Sequence, residues 1–158
     1  MKKVVIYTDG ACSYNPGPGG WGCVLIYKDT KKTFSGFCEN TTNNQMEMLA
    51  VIEALKKLNE PCEVDLFSDS AYVVNAFLAG WIDNWKKNNW KTAQHKPVKN
   101  EDLWKQMDNL VSTHKVTFHK VKGHSDVELN NLCDELARGE VDRFLEANPN
   151  FKLPKQED

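Results

Sequence analysis

Two short apolar runs in this chain of 158 residues end alike: Ile6-Tyr7-Thr8-Asp9-Gly10 and Leu66-Phe67-Ser68-Asp69-Ser70. Each reads as a strand that delivers a carboxylate at its C-terminal end, the place where open α/β sheets bind ligands. One such Asp is adequately explained as a turn or cap residue. Two strands of one sheet that end this way point to a shared site.

The rest of the chain supplies a sheet to hold them. Further strands are predicted at 21–27, 34–38, 63–67 and 116–121, after a first at 3–8. From 45 to 58 apolar residues recur at Met48, Val51, Ile52, Leu55 and Leu58, a helical spacing that follows cap-type residues Thr41-Thr42-Asn43-Asn44 and stops at Pro61. Ser68 or Ser70 can cap a helix over 71–78, closed by Gly80. A short helical turn follows at 81–85, with helices at 101–111 and 132–145. The first three strands read as an antiparallel meander, and no repeat or linker divides the chain. The expectation is one mixed α/β domain of five strands over residues 1–147, with a loose tail at 148–158.

Gly17-Pro18-Gly19-Gly20-Trp21-Gly22 matches the dinucleotide-binding pattern G-x-G-x-x-G. That pattern needs a helix to open directly after it, whose N-terminus faces the phosphates. The following Trp21-Gly22-Cys23-Val24-Leu25-Ile26-Tyr27 has strand character instead. The glycines are therefore expected to form a tight connection between two antiparallel strands.

Composition narrows the class further. Five scattered cysteines without C-x-x-C spacing argue against a zinc site or a disulfide framework. With no membrane-length apolar run and no signal-peptide pattern, the expected setting is the cytoplasm. The net charge of −2 does not announce a polyanion binder, but the lysines are unevenly placed.

Two more acids are candidates for the site, each with a competing local role. With Asn44 as N-cap, Glu47 falls at N3, the position of a capping-box partner. Asp134 can complement the start of the last helix. Spacing alone does not show that these acids converge with Asp9 and Asp69.

Several ordered blocks together resemble the bacterial type 1 ribonucleases H: Tyr7-Thr8-Asp9-Gly10, Asn15-Pro16-Gly17-Pro18-Gly19-Gly20, Thr41-Thr42-Asn43-Asn44-Gln45-Met46-Glu47, Ser68-Asp69-Ser70, Trp85-Lys86-Lys87, Val121-Lys122-Gly123-His124 and Cys133-Asp134-Glu135-Leu136-Ala137. The resemblance implies a ribonuclease H-like fold, a five-stranded mixed sheet of three antiparallel and two parallel strands flanked by helices. It implies an endonuclease that hydrolyses the RNA strand of RNA–DNA hybrids, leaving 5′-phosphate and 3′-hydroxyl ends. Asp9, Glu47, Asp69 and Asp134 would ligate two Mg²⁺ ions, with Mn²⁺ as a possible substitute. Mg²⁺ favours carboxylate, water and phosphate oxygens. Two ions ~4 Å apart suit an in-line displacement. Asp9 would bridge both ions, Asp134 would serve the nucleophile side, and Glu47 and Asp69 the leaving-group side. His124 would assist proton transfer or product release, although the following Ser125-Asp126-Val127-Glu128-Leu129 departs from the family's usual loop. His95, His114 and His119 are read as structural.

The segment 81–99 carries Lys86, Lys87, Lys91, Lys96 and Lys99 against the single acid Asp83, interleaved with Trp81, Trp85 and Trp90. A solvated, tryptophan-anchored segment is the plain reading. Exposed lysines tracking phosphates is the functional one, and the resemblance favours it as a basic handle on the DNA strand. The resemblance also places Cys12, Asn15, Asn43 and Asn44 along the minor groove, where 2′-hydroxyls are read, sets Thr42 against a DNA phosphate, and adds Trp81 and Asn130 to the substrate surface. Ala71 stands where the family commonly has glutamine, and Asn40 where arginine is frequent, which implies reduced affinity with unaltered chemistry. No obligatory protein partner or membrane association is expected, and the enzyme would be a monomer. A silent hybrid-binding module would require a lost acid, and all four are present. A ribonuclease H domain of a reverse transcriptase is the other alternative.

Overall fold

The structure is a computed structural model that describes residues 1–122 and 128–152. Its elements in chain order are β1 (Lys2–Cys12), β2 (Gly17–Tyr27), β3 (Thr30–Thr41), α1 (Asn43–Lys56), β4 (Cys62–Ser68), α2 (Ala71–Leu78), α3 (Trp81–Lys87), α4 (Glu101–Thr113), β5 (Lys115–Lys120) and α5 (Glu128–Ala147). The strands form one sheet in the order β3-β2-β1-β4-β5. β2 is antiparallel to β1 and to β3, whereas β4 is parallel to β1 and to β5. The predicted arrangement of three antiparallel and two parallel strands is what the chain adopts.

Alternation along the strands explains the layering. Val4, Ile6 and Thr8 of β1 are buried beside Val64, Leu66 and Ser68 of β4, their partners in register. Against this face lie Met48, Val51, Ile52 and Leu55 of α1, with Val73 and Val74 of α2 and Trp104 and Met107 of α4 completing the core. Ile52 and Leu55 are fully buried, and truncating either to alanine would cost about 2–5 kcal/mol. The opposite face of β1 and β2 is covered by α5.

One expectation is corrected here. The glycines at 17–20 are strand, not connection, and β1 and β2 are joined by the stretch 13–16, closed by Ser13 N–H donating to the Pro18 carbonyl at 2.9 Å. The reason lies in a long-range packing demand. A Cβ on Gly22 would stand 2.6 Å from the Cys133 carbonyl oxygen of α5, and one on Gly20 would collide with Ala137 of the same helix. The missing side chains let the helix backbone lie directly on the strand. Smaller differences concern ends: β3 and α5 each begin four residues earlier than expected, and α3 runs on to Lys87.

Candidate active site

Asp9 is the eighth residue of β1 and Asp69 follows β4 directly, so the parallel pairing of the two strands sets their carboxylates side by side. Glu47 reaches them from α1. One carboxylate oxygen from each of Asp9, Glu47 and Asp69 lies within 4.8 Å of the other two. Asp134 stands on α5 outside that trio and lines the same cleft, of about 140 Å³, with Asp9, Gly10, Asp69, Asn130 and Asn131. The structure therefore brings all four predicted acids to one place. Among the described residues, two buried side-chain oxygens lack a hydrogen-bond partner, Asp69 Oδ1 and Asn130 Oδ1, and both belong to this cleft.

The local roles that competed for Glu47 and Asp134 fall away. The N-cap of α1 is Thr42, whose hydroxyl oxygen accepts from Gln45 N–H at 3.1 Å, so Gln45 and not Glu47 occupies N3. Glu47 instead accepts from the backbone N–H of Gly10, which also donates to Asp9 Oδ1 at 2.9 Å. Asp134 lies beyond the first turn of α5 and is held by Arg138 Nε at 2.8 Å.

Crowding acids together where water is scarce disfavours their charged forms. Burial pushes the Asp9 carboxyl up to about 7 against the lowering effect of its hydrogen bond with Glu47, and the charge of Asp69 adds to the rise. Burial likewise holds Glu47 well above the usual carboxylate range, with the charges of Asp9 and Asp69 contributing. Hard oxygen donors, two unpartnered oxygens and unfavourable mutual repulsion together fit a site for divalent cations of the Mg²⁺ type.

Residues 1–142 match the sequence profile of the RNase H family. The chain belongs to the ribonuclease H family. It is 61% identical over 141 residues to a ribonuclease H of Acetivibrio thermocellus, covering 89% of this chain and 96% of that one. It is 59% identical over 149 residues to a ribonuclease H of Thermoanaerobacter sp., covering 94% and 96%. Among solved structures it is similar to LC9-RNase H1, a type 1 RNase H with the type 2 active-site motif, with a TM-score of 0.81, 26% identity and coverage of 90% of this chain and 74% of that one. The foamy viral PFV RNase H domain follows at a TM-score of 0.75, 29% identity and coverage of 90% and 96%. The bacterial relatives are about twice as similar in sequence as the viral domain. This ribonuclease H is an enzyme of the bacterial type.

The remaining predicted residues fall into two groups around the cleft. In the first, Asn15 Oδ1 accepts from Asn43 N–H at 3.1 Å, tying the β1–β2 turn to the start of α1 beside exposed Asn43 and Asn44. Cys12 Sγ lies against the Tyr14 and Thr41 carbonyls and secures the same turn. In the second, the tryptophans Trp81, Trp85 and Trp90 pack in sequence, ring centroids 6.3 Å apart at each step, and Trp85 meets Trp104 of the core at 5.5 Å. They anchor a segment on which Lys87, Lys91, Lys96 and Lys99 are exposed and, among the described residues, not ion-paired. Lys86 differs, since its Nζ pairs with Asp108 at 2.7 Å. Asn130 is 2% exposed and lines the cleft.

His124 lies outside the described residues. His114 Nδ1 accepts from Cys62 N–H at 3.0 Å and His119 meets Asp65 at 2.8 Å, structural roles in both cases. All five cysteines are free. Sequence reasoning missed Gly10, Arg138 and Asn100. Only Gly10 carried a local signal, in the Asp-Gly pair that follows the apolar run of β1.

Proposed function

We propose that this ribonuclease H cleaves the RNA strand of RNA–DNA hybrids endonucleolytically by two-metal-ion catalysis, leaving 5′-phosphate and 3′-hydroxyl ends. The observation that carries the reading is the convergence of Asp9, Glu47 and Asp69, with Asp134 lining one cleft together with Asp9 and Asp69. A similar solved protein, LC11-RNase H1 (TM-score 0.66, 25% identity), is in complex with an RNA/DNA hybrid, which supports the substrate class.

Asp9, Glu47, Asp69 and Asp134 would hold two Mg²⁺ ions, or Mn²⁺ in their place. Bound there, such ions supply charge neutralisation of the phosphate and a hydroxide-like nucleophile at neutral pH. The chain's own residues prepare that site. Gly10 N–H fixes the Asp9 and Glu47 carboxylates against each other, and Arg138 orients Asp134. Asn130 Oδ1 would offer a further oxygen to a bound cation or to substrate. Asn15, Asn43 and Asn44 meet the minor groove and its 2′-hydroxyls, the feature that separates RNA from DNA. Thr42 uses its oxygen as a cap acceptor, which leaves the hydroxyl hydrogen for a phosphate. Lys87, Lys91, Lys96 and Lys99, with Trp81 beside them, follow the DNA-strand backbone. His124 assists proton transfer or product release.

The test is cleavage of an end-labelled hybrid in Mg²⁺ and in EDTA, comparing the wild type with Asp9→Asn, with end-group analysis of the products. Cutting that persists in EDTA, or in the variant at wild-type rate, refutes the reading.

A further inference from the structure

The two candidate substrate surfaces, the α1 N-terminus and the lysine-bearing segment, come from stretches about 50 residues apart in sequence. They are joined by a continuous chain of side-chain hydrogen bonds. Thr41 Oγ1 donates to Gln45 Oε1 at 2.9 Å, and Gln45 Nε2 donates to Asn100 Oδ1 at 3.1 Å. Asn100 Nδ2 donates to the Tyr72 hydroxyl at 3.2 Å, which also receives Trp104 Nε1–H at 3.3 Å.

Two members of this chain are diverted from local duties. A glutamine at N3 ordinarily reaches back to the N-cap backbone, but Gln45 reaches across to Asn100. Asn100 is itself the N-cap of α4, in the left-handed region at φ 62°, and its side chain makes no cap hydrogen bond to that helix. Asparagine tolerates that conformation better than most residues, and here it turns the amide between α1 and α2. The lysine-bearing segment closes on itself just before this point. Lys91 bridges Pro97, Val98 N–H donates to the Trp90 carbonyl at 3.1 Å, and Val98 is buried. Asn100 is therefore where the C-terminal end of the closed hairpin joins the body, its other end being held through α3 and Trp85 against Trp104, and Gln45 is hydrogen-bonded to that junction.

We propose that Gln45, Asn100 and Tyr72 form a strut that presets the spacing between the minor-groove readers of α1 and the lysines of the hairpin, with Gln45 as its positioning residue. The inference rests on the hybrid reading above, in which one duplex meets both surfaces. Two surfaces held at the right separation act as linked sites, the second contact costing little once the first is made. A strut that is lost returns that ordering cost to the binding step.

Two variants test it. Gln45→Met keeps the length of the side chain and removes both its polar atoms. Tyr72→Phe removes only the distal hydroxyl and keeps the ring against Trp104, whose centroid is 5.0 Å away. Each is compared with wild type on a hybrid of about 16 base pairs and on one of about 6, roughly one and a half turns and half a turn. Kd is read by fluorescence anisotropy in EDTA, and KM and kcat in Mg²⁺. The expected result on the long hybrid is a rise of about fivefold in Kd and KM for each variant, the worth of one ordinary hydrogen bond. The double variant is no weaker than the worse single one, and kcat stays within about twofold. On the short hybrid all four proteins agree. Unchanged Kd on the long hybrid, an equal loss on both lengths, or additive losses would overturn the strut. Failure of the wild type to cut while it still binds would count against the hybrid-cleavage reading and leave the anisotropy comparison to judge the strut by itself.

Discussion

Gly10 and Glu47 are in backbone contact across the top of the sheet: Gly10 N–H donates to the Glu47 carboxylate, and a Cβ on Gly10 would stand 2.5 Å from Glu47 N. The strand and the helix that carry two of the four acids therefore meet at a residue with no room for a side chain. Gly10→Ala is expected to push α1 off β1. The stability loss should be about 1–3 kcal/mol, the range for a forced backbone shift in a packed site, and the cleavage rate should fall by orders of magnitude. Thermal unfolding and hybrid cleavage measure the two effects. A fully stable, fully active alanine variant would show that the contact is dispensable.

The same cluster predicts a pH dependence for the metal-free protein. The Asp9 carboxyl sits at about 7 in the folded state against an ordinary 3.8. Between these values the folded state keeps a proton that the unfolded state has already lost, so stability declines as pH rises through that window. Above it the whole penalty of a buried anion is present. In EDTA, Asp9→Asn should then unfold a few degrees higher than wild type at about pH 8, and the gap should close near pH 4. Mg²⁺ should stabilise the wild type more than the variant at the higher pH. An asparagine variant less stable than wild type at pH 8 in EDTA would contradict the electrostatic account of this cleft.

Much of this site was legible because it is built from local features. Asp9 and Asp69 announce themselves as carboxylates after two short apolar runs, and parallel pairing of those runs is enough to bring them together, although β1 continues past Asp9 to Cys12. Glu47 and Asp134 were not legible in that way. Their local roles were excluded only by geometry, by Thr42 taking the cap of α1 and by α5 starting at Glu128. The resemblance named them, and the structure supplied the cleft. The glycines at 17–20 misled for a related reason. Their low strand propensity argues for a turn, while the constraint on Gly20, as on Gly22, is α5, more than a hundred residues downstream, and Gly19 is hemmed in by Thr41 and Met46. Long-range demands of that kind leave no periodicity to read.

The lysines divide along another feature that sequence could not show. Lys86 is paired with Asp108 of α4, 22 positions later, whereas Lys87, Lys91, Lys96 and Lys99 make no ion pair with a described residue. A lysine that meets a phosphate contributes to the salt dependence of binding, and its removal flattens the slope of log Kd against log salt by about 1. Each of the four lysines without an ion pair, replaced by alanine, should weaken hybrid binding and flatten that slope. Lys86→Ala should change the slope less and lower thermal stability slightly, since it strips Asp108 of its partner. Titrations at three or more salt concentrations decide this. Equal slopes for all five variants and the wild type would remove the basic segment from the interface.

Ala71 offers the most economical test of how the minor groove is met. It is the exposed first residue of α2, two positions after Asp69 and directly after the N-cap Ser70, whose hydroxyl oxygen accepts from Val73 N–H at 3.2 Å. The methyl group there offers no hydrogen bond, where a glutamine would reach outward beside the cleft with both a donor and an acceptor. Glutamine is a good helix former, and the Ser70 cap does not depend on residue 71, so the fold should be indifferent to the change. Ala71→Gln is expected to lower KM for a hybrid about three- to tenfold, within the worth of one or two added hydrogen bonds, with kcat unaltered because the carboxylates keep their places. Read as Kd in EDTA, the gain should be smaller for an all-DNA duplex, where the groove presents no 2′-hydroxyls. An unchanged KM on the hybrid would mean that this position lies clear of the groove, and that the α1 N-terminus and the turn at Asn15 read the minor groove without help from α2.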